Sequence, residues 1–496
     1  MRRILYFVPF IFLLSCATSM LPKEEFRGVW IATVANIDWP KHPEDDVEKK
    51  KKDFIAILDF YKKLNFNTAI VQVRTAGDAL YETESAPWSK YLSGKEGEAP
   101  KGFDHPLKWM IEETHKHGME FHAWLNPYRA TVNLDTTVLA KTHDFYQHPD
   151  WMVKYGQKYY YNPGLPEVRN KFNQVIRELV SNYDVDAIHF DDYFYPYKVE
   201  GEVFEDATTF SENGLLNQSL EDWRRSNVDS LVKMVHKTIK TTKPWVQFGI
   251  SPFGVWKNRS TDPKGSDTQA GQTTYEDLYA DPLLWVQKGW LDYLAPQVYW
   301  SMDFSVASHK KITSWWNNAT PNTHLYIGNG AYKIKNNSDK AWTKNNEIPK
   351  QLKFSRNLDH VNGNIFFSAK SLMGTHEKVN QKLEKKFYRY PSNNPGPLNK
   401  IKRTVPLPAI VSAKNQNDQL DICISHTDSI PRFLNFYEIR GTKRKLIAKA
   451  YLSQSKKSEC YQIEMPNKQS KKSLGITIMD TYGNESALQT LNLIPN

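Results

Sequence analysis

A (β/α)8 TIM barrel followed by a small all-β sandwich is the fold this sequence predicts, on three observations. Eight apolar, β-rich runs recur at wide spacing, amphipathic helical stretches lie between several of them, and nearly every run ends in polar residues. Strands that alternate with helices and are buried on both faces close into this architecture. With 496 residues, 40% of them hydrophobic, the chain can form one large domain and a smaller one.

The chain opens with MRRILYFVPFIFLLSC, in which Arg2 and Arg3 precede an apolar run from Ile4 to Leu14. That run is too short to cross a bilayer as a mature helix and has the pattern of an export signal. Leu13-Leu14-Ser15-Cys16 resembles a bacterial lipobox, so residues 1–16 are expected to be a lipoprotein signal with Cys16 as the acylated (palmitate-type) anchor. The expected location is the cell envelope, on the outer membrane, facing either the periplasm or the surface. Beyond Cys16 only Cys423 and Cys460 remain, a pair that in an oxidising compartment can either bridge or stay free. The net charge of +10 could suggest a nucleic-acid partner, but export argues against one, and the lysines are dispersed over solvated helix faces or sit in short runs such as KKKK at 49–52.

The predicted barrel spans 25–390, with strands at 27–34, 68–73, 120–125, 187–190, 246–251, 293–300, 325–330 and 364–369. Phe54, Ile55, Leu58, Tyr61 and Leu64 recur at helical spacing after the first strand, as do Val168, Phe172, Val175, Ile176 and Leu179 before the fourth. Asp281-Pro282 supplies an N-cap and a first-turn proline before the sixth. After the Pro- and Asn-rich stretch 390–400, short alternating segments predict a fibronectin-like or immunoglobulin-like sandwich over 400–496.

Active sites of such barrels lie at the C-terminal strand ends. There this chain offers Asp38, Gln72, Arg74, Asn126, Arg129, Asp191, Asp192 and Gln297. Successive strand residues point to opposite faces, so His189 and Asp191 share one face and Asp192 turns away. A carboxylate where Asp191 stands can attack an anomeric carbon or stabilise an oxocarbenium-like transition state. Asp191 is therefore the expected principal carboxylate, with Asp192 and His189 as supports. A second carboxyl is required as proton donor. Asp303, just past the sixth strand, is the first choice over Asp38, Asp78, Glu276 and Asp277. Trp39, Tyr128, Tyr193, Tyr195, Tyr299 and Trp300 offer rings on which pyranoses stack. Two other readings stay open: a glycan-binding barrel without catalysis, and a metal-dependent deacetylase or hydrolase using His122, His189 and Asp191. No cofactor is expected, and the sequence leaves the oligomeric state open.

FRGVWIATVANIDWP, VQVRTAGDALY, AWLNPYR, DAIHFDDYFYP, SPFGVWKNRS with GSDT, and YEDLYADPLLWVQKGWLDYLAPQVYW together resemble the bacterial glycosyl-hydrolase-like family 10. The resemblance implies a (β/α)8 glycosidase exported to the envelope. Some members of the family are similar to enzymes that cleave peptidoglycan glycan strands after removal of the stem peptides. Such strands carry anionic lactyl groups, for which Arg74 or Arg129 would be the expected partner. Thr75 stands where the family often has Pro, and Tyr81-Glu82-Thr83 where it has Tyr-Pro-Ser, so the rim after the second strand is expected to differ in specificity.

Overall fold

The structure is a computed structural model that describes residues 24–374, 376–416, 419–464 and 473–491. The export signal and Cys16 lie outside the described residues.

Eight parallel strands close the barrel: β1 (Phe26–Ile31), β2 (Thr68–Arg74), β3 (Glu120–Leu125), β4 (Ala187–Phe190), β5 (Gln247–Ile250), β6 (Tyr293–Leu294), β7 (His324–Asn329) and β8 (Val361–Phe366). Each pairs with its neighbours in sequence, and β8 returns to β1. Helix α1 (Val47–Lys63) buries Phe54, Ile57, Leu58 and Tyr61 against this wall and starts at Asp46, whose carboxylate accepts from Lys49 N. Helix α2 (Pro106–Lys116) follows β2, α3 (Pro166–Asn182) precedes β4, and α4 (Leu220–Thr242) packs beside α3. The predicted Asp281 cap is in place on α5 (Pro282–Gln287), accepting from Leu284 N.

Of the strands that end earlier than their apolar runs suggest, β1 and β6 show a local cause. β1 stops at Ile31, because Ala35 and Asn36 adopt φ of 52° and 51° and the Gln72 side chain accepts from Val34 N at 3.0 Å. β6 is two residues long; Pro296 has no N–H to donate, and past it only isolated bridges from Gln297 to Phe253 and Gly328 continue the pairing.

The barrel interior is filled with aromatic and imidazole rings. Gly249 makes this possible, since a Cβ there would lie 1.9 Å from the Tyr293 ring. The Tyr293 hydroxyl consequently reaches both His189 Nδ1 and His122 Nδ1 at 2.9 Å. At the base, buried Glu25 accepts from Arg27 and twice from Arg356, each at 2.7 Å, which ties β1 to the end of α6 (Glu347–Ser355).

The C-terminal sandwich has a three-stranded sheet, β9 (Ala409–Gln416), β10 (Gln419–Ser425) and β13 (Ser458–Glu464). Facing it is a four-stranded sheet of β11 (Pro431–Arg440), β12 (Lys443–Tyr451), β14 (Ser473–Asp480) and β15 (Gln489–Leu491). Alternation along β10 turns Leu420, Ile422 and Ile424 into its core and Cys423 outward. Cys423 stands opposite Cys460 in register, and the two form a disulfide. The sandwich docks on the barrel base, where Arg432 meets Asp184 at 3.0 Å and Asp186 at 3.2 Å.

Candidate active site

β4 delivers Asp191 as alternation requires. Phe190 turns outward onto Phe172 and Phe248, while His189 and then Asp191 face the axis. Asp191 Oδ2 accepts from Trp124 Nε1, and both carboxylate oxygens accept from Asn126 Nδ2, all at 3.1 Å. Asn126 is fixed in turn because its Oδ1 accepts from Arg129 N at 2.8 Å. Burial pushes the Asp191 carboxyl up, and the Arg129 charge and these N–H donors pull against that. The Arg129 guanidinium lies 4.5 Å over the Tyr193 ring, and its buried Nε has no hydrogen-bond partner.

Asp192, just as buried, sits among different groups. Tyr197 Oη donates to its Oδ2, and the Gln297 side chain is its other hydrogen-bonding neighbour. Gln297 is itself held by donating to Ser251 O at 2.9 Å. Burial and the adjacent Asp191 charge push Asp192 up to about 7. The sequence cast Asp192 as a support to Asp191; in these surroundings it titrates near neutrality.

Half-buried rings line the mouth above the pair. Tyr193 stacks on Tyr197 at 5.2 Å, and Tyr299 packs on Phe367 at 6.1 Å. Trp300 stands at the edge of a cleft of about 400 Å³ that is also lined by Phe304, Lys333, Asp339 and Trp342. Sequence reasoning missed Tyr197, Lys333 and Asp339. The last two lie on the loop after β7, where no periodicity or motif marks them. It also missed Glu96, a buried carboxyl that accepts from Ala140 N at 3.1 Å and that burial and Asp78 push up to about 8.

Asn126, Arg129, Asp191, Asp192, Tyr193, Gln297, Tyr299 and Trp300 thus gather at one face. Other expected site residues are spent on structure. Asp38 accepts from Ala32 N, Ser368 Oγ and Lys370 N, clipping the ends of β1 and β8 together. Asp78 caps its own loop by accepting from Thr75 and Ala76 N–H. Trp39 is fully buried with Nε1 donating to Lys50 O, and Tyr195 is buried against Asp206. Tyr128 is likewise buried, and Arg74 packs 5.9 Å over Phe172 beneath the rim. His189 Nε2 accepts from Trp30 Nε1 at 3.1 Å and lies 3.1 Å from Ser251 Oγ, so it belongs to the barrel interior, and its hydrogen bonds among the described residues do not include Asp191. Burial holds it neutral, well below the usual imidazole range. Asp303 lies exposed in the turn after β6, and among the described residues no hydrogen bond or ion pair ties it to Asp191 or Asp192. The chain needs only a turn there, because Glu347 holds Met302 N from below.

Two acids, an arginine and a wall of rings at the C-terminal ends of a (β/α)8 barrel define a glycoside-hydrolase-like barrel. The chain belongs to the family Glycosyl hydrolase-like 10, which it matches over residues 25–344. It is 46% identical over 372 residues to glycosyl hydrolase YngK of Bacillus subtilis (strain 168), covering 74% of this chain and 72% of that one. It is 39% identical over 374 residues to glycosyl hydrolase DigH of Escherichia coli (strain K12), covering 71% of this chain and 84% of that one. Among solved structures it is similar to the glycoside hydrolase domain of PgaB (BpsB) from Bordetella bronchiseptica, with a TM-score of 0.49 and 11% identity over 73% of this chain and 99% of that one.

Proposed function

We propose that this chain is a glycosidase of the bacterial envelope that cleaves N-acetylated glycan strands lacking stem peptides. The observation that carries the reading is Asp191, oriented by Trp124 and Asn126 beside Arg129 at the barrel mouth. A carboxylate so fixed needs no reorganisation when positive charge develops at an anomeric carbon. The half-buried rings of Tyr193, Tyr299 and Trp300 suit the apolar faces of pyranoses. The unpaired Nε of Arg129 supports an anionic substrate, such as a strand whose lactyl carboxylates have been freed of peptide. Export and lipid anchoring at Cys16 complete the proposal, and the Cys423–Cys460 disulfide fits an oxidising compartment.

Mass spectrometry of products from peptide-free and intact peptidoglycan tests reaction and substrate together. Fragments are expected from the peptide-free strands and not with Asp191→Asn. Equal fragmentation by wild type and Asp191→Asn contradicts the reading.

A further inference from the structure

Adjacent residues cannot supply a nucleophile and a proton donor on opposite sides of one glycosidic bond, as a double displacement by two enzyme carboxyls requires. Among the described residues, the other carboxyls near this face are held by other groups or lie exposed. Asp38 and Asp78 are occupied by structural donors, Asp206 is paired with Arg224, Glu96 accepts from Ala140 N, Asp339 accepts from Ala341 N, and Asp303 is exposed. What remains is a pair of neighbours with divided environments. Asp191 is surrounded by N–H donors and a guanidinium; Asp192 meets a tyrosine hydroxyl and an amide.

Vicinal carboxyls match vicinal groups on a sugar. In a 2-acetamido-2-deoxy glycoside the amide N–H on C2 and the glycosidic oxygen on C1 stand on adjoining ring carbons, and the acetamido carbonyl oxygen can reach C1 from the opposite side. We propose that Asp191 and Asp192 work as one unit on such a sugar, with the substrate's acetamido oxygen as the nucleophile. Asp191 accepts the amide N–H and turns the carbonyl toward C1, and Asp192 is the acid and then the base. The proposal rests on the glycosidase reading above and deepens it.

In the first step the acetamido oxygen bonds to C1, the bond from C1 to the glycosidic oxygen breaks, and the Asp192 proton passes to the departing oxygen. The product is a cyclic oxazolinium ion whose N–H stays on the Asp191 carboxylate. In the second step the Asp192 carboxylate takes a proton from water. The resulting hydroxyl attacks C1, and the C1 bond to the acetamido oxygen breaks, restoring the acetamide with retained configuration. Arg129 opposes the effect of burial on Asp191 and favours its carboxylate form beside the cationic ring.

The test uses peptide-free glycan strands that have been chemically N-deacetylated and then re-acylated with acetyl or with trifluoroacetyl groups. Fluorination weakens the carbonyl oxygen as a nucleophile and leaves the backbone unchanged. The trifluoroacetylated strands should be cleaved at least about 100-fold more slowly than the re-acetylated ones, at similar binding. The first-formed product should keep its anomeric configuration by NMR. Equal cleavage of the two strands, inversion, or loss of activity in Glu96→Gln but not in Asp192→Asn overturns the proposal and leaves the glycosidase reading standing. No cleavage of re-acetylated strands by the wild type overturns both.

Discussion

At the base of the barrel Asp186 accepts from His115 Nε2 and Phe121 N, both at 2.8 Å, and faces Arg432. At the rim Asp192, equally buried, has no ion-pair partner among the described residues and lies beside another carboxylate. Burial raises both carboxyls, but at the base Arg432 and His115 more than offset it and Asp186 ends well below the usual carboxylate range, whereas at the rim Asp191 adds to it. Glu25 at the base repeats the pattern, burial opposed and exceeded by Arg27 and Arg356. One residue type thus serves two ends: at the base it is an ion-pair partner that fixes packing, and at the rim it is a proton store. The local cost accepted at the rim is what stability alone would remove, and active-site residues are where such costs are kept.

The contrast can be broken from either end. Asp191→Asn should lower turnover of glycan strands by about 1,000-fold or more while the thermal transition is kept, because it removes charge at the reacting centre and little packing. Arg432→Ala should do the opposite. It leaves buried Asp186 and half-exposed Asp184 without their arginine, should cost roughly 3 to 5 kcal/mol by denaturant unfolding, and should leave kcat of the folded protein near wild type. Loss of kcat in Arg432→Ala at full folding would blur the two ends.

Asp192 sharpens the contrast through pH. Its folded value of about 7 lies above the unfolded value of roughly 4, so over that window the unfolded chain releases a proton the folded chain retains. Stability therefore falls as pH rises through the window, and Asp192→Asn should remove that fall. The variant should be more stable than wild type at about pH 8, on the order of 2 to 4 kcal/mol, with little difference near pH 4, as read from unfolding curves at both pH values. A smaller effect is expected from Trp300→Ala, about a tenfold rise in KM with kcat nearly kept, if the ring stacks on a sugar remote from the cleaved bond.

The eight strands were legible because strands buried on both faces are continuous apolar runs, and their order followed from alternation with helices. Five of the seven sandwich strands were legible for a different reason, as alternating runs. β9 and β15 were not, the first being mostly exposed and the second only three residues long. Asp191 could be placed because strand periodicity fixes its face. The fates of the other rim residues could not, since they depend on which donors arrive from far along the chain. Ser368 reaches Asp38 across 330 residues, and Lys50 O takes the Trp39 indole N–H. The surroundings of Asp192 were illegible on the same ground, because Gln297 and the fold of Tyr197 back onto its carboxyl are tertiary events.

The most direct test of the rim account is the pH dependence of kcat/KM on peptide-free glycan strands, measured from about pH 5 to about pH 9 for wild type and for the residual activity of Asp192→Asn. The account predicts a falling limb near pH 7 in the wild type, where Asp192 loses its proton, and no such limb in the variant. A wild-type profile flat through about pH 8, or an unchanged limb in Asp192→Asn, would contradict it.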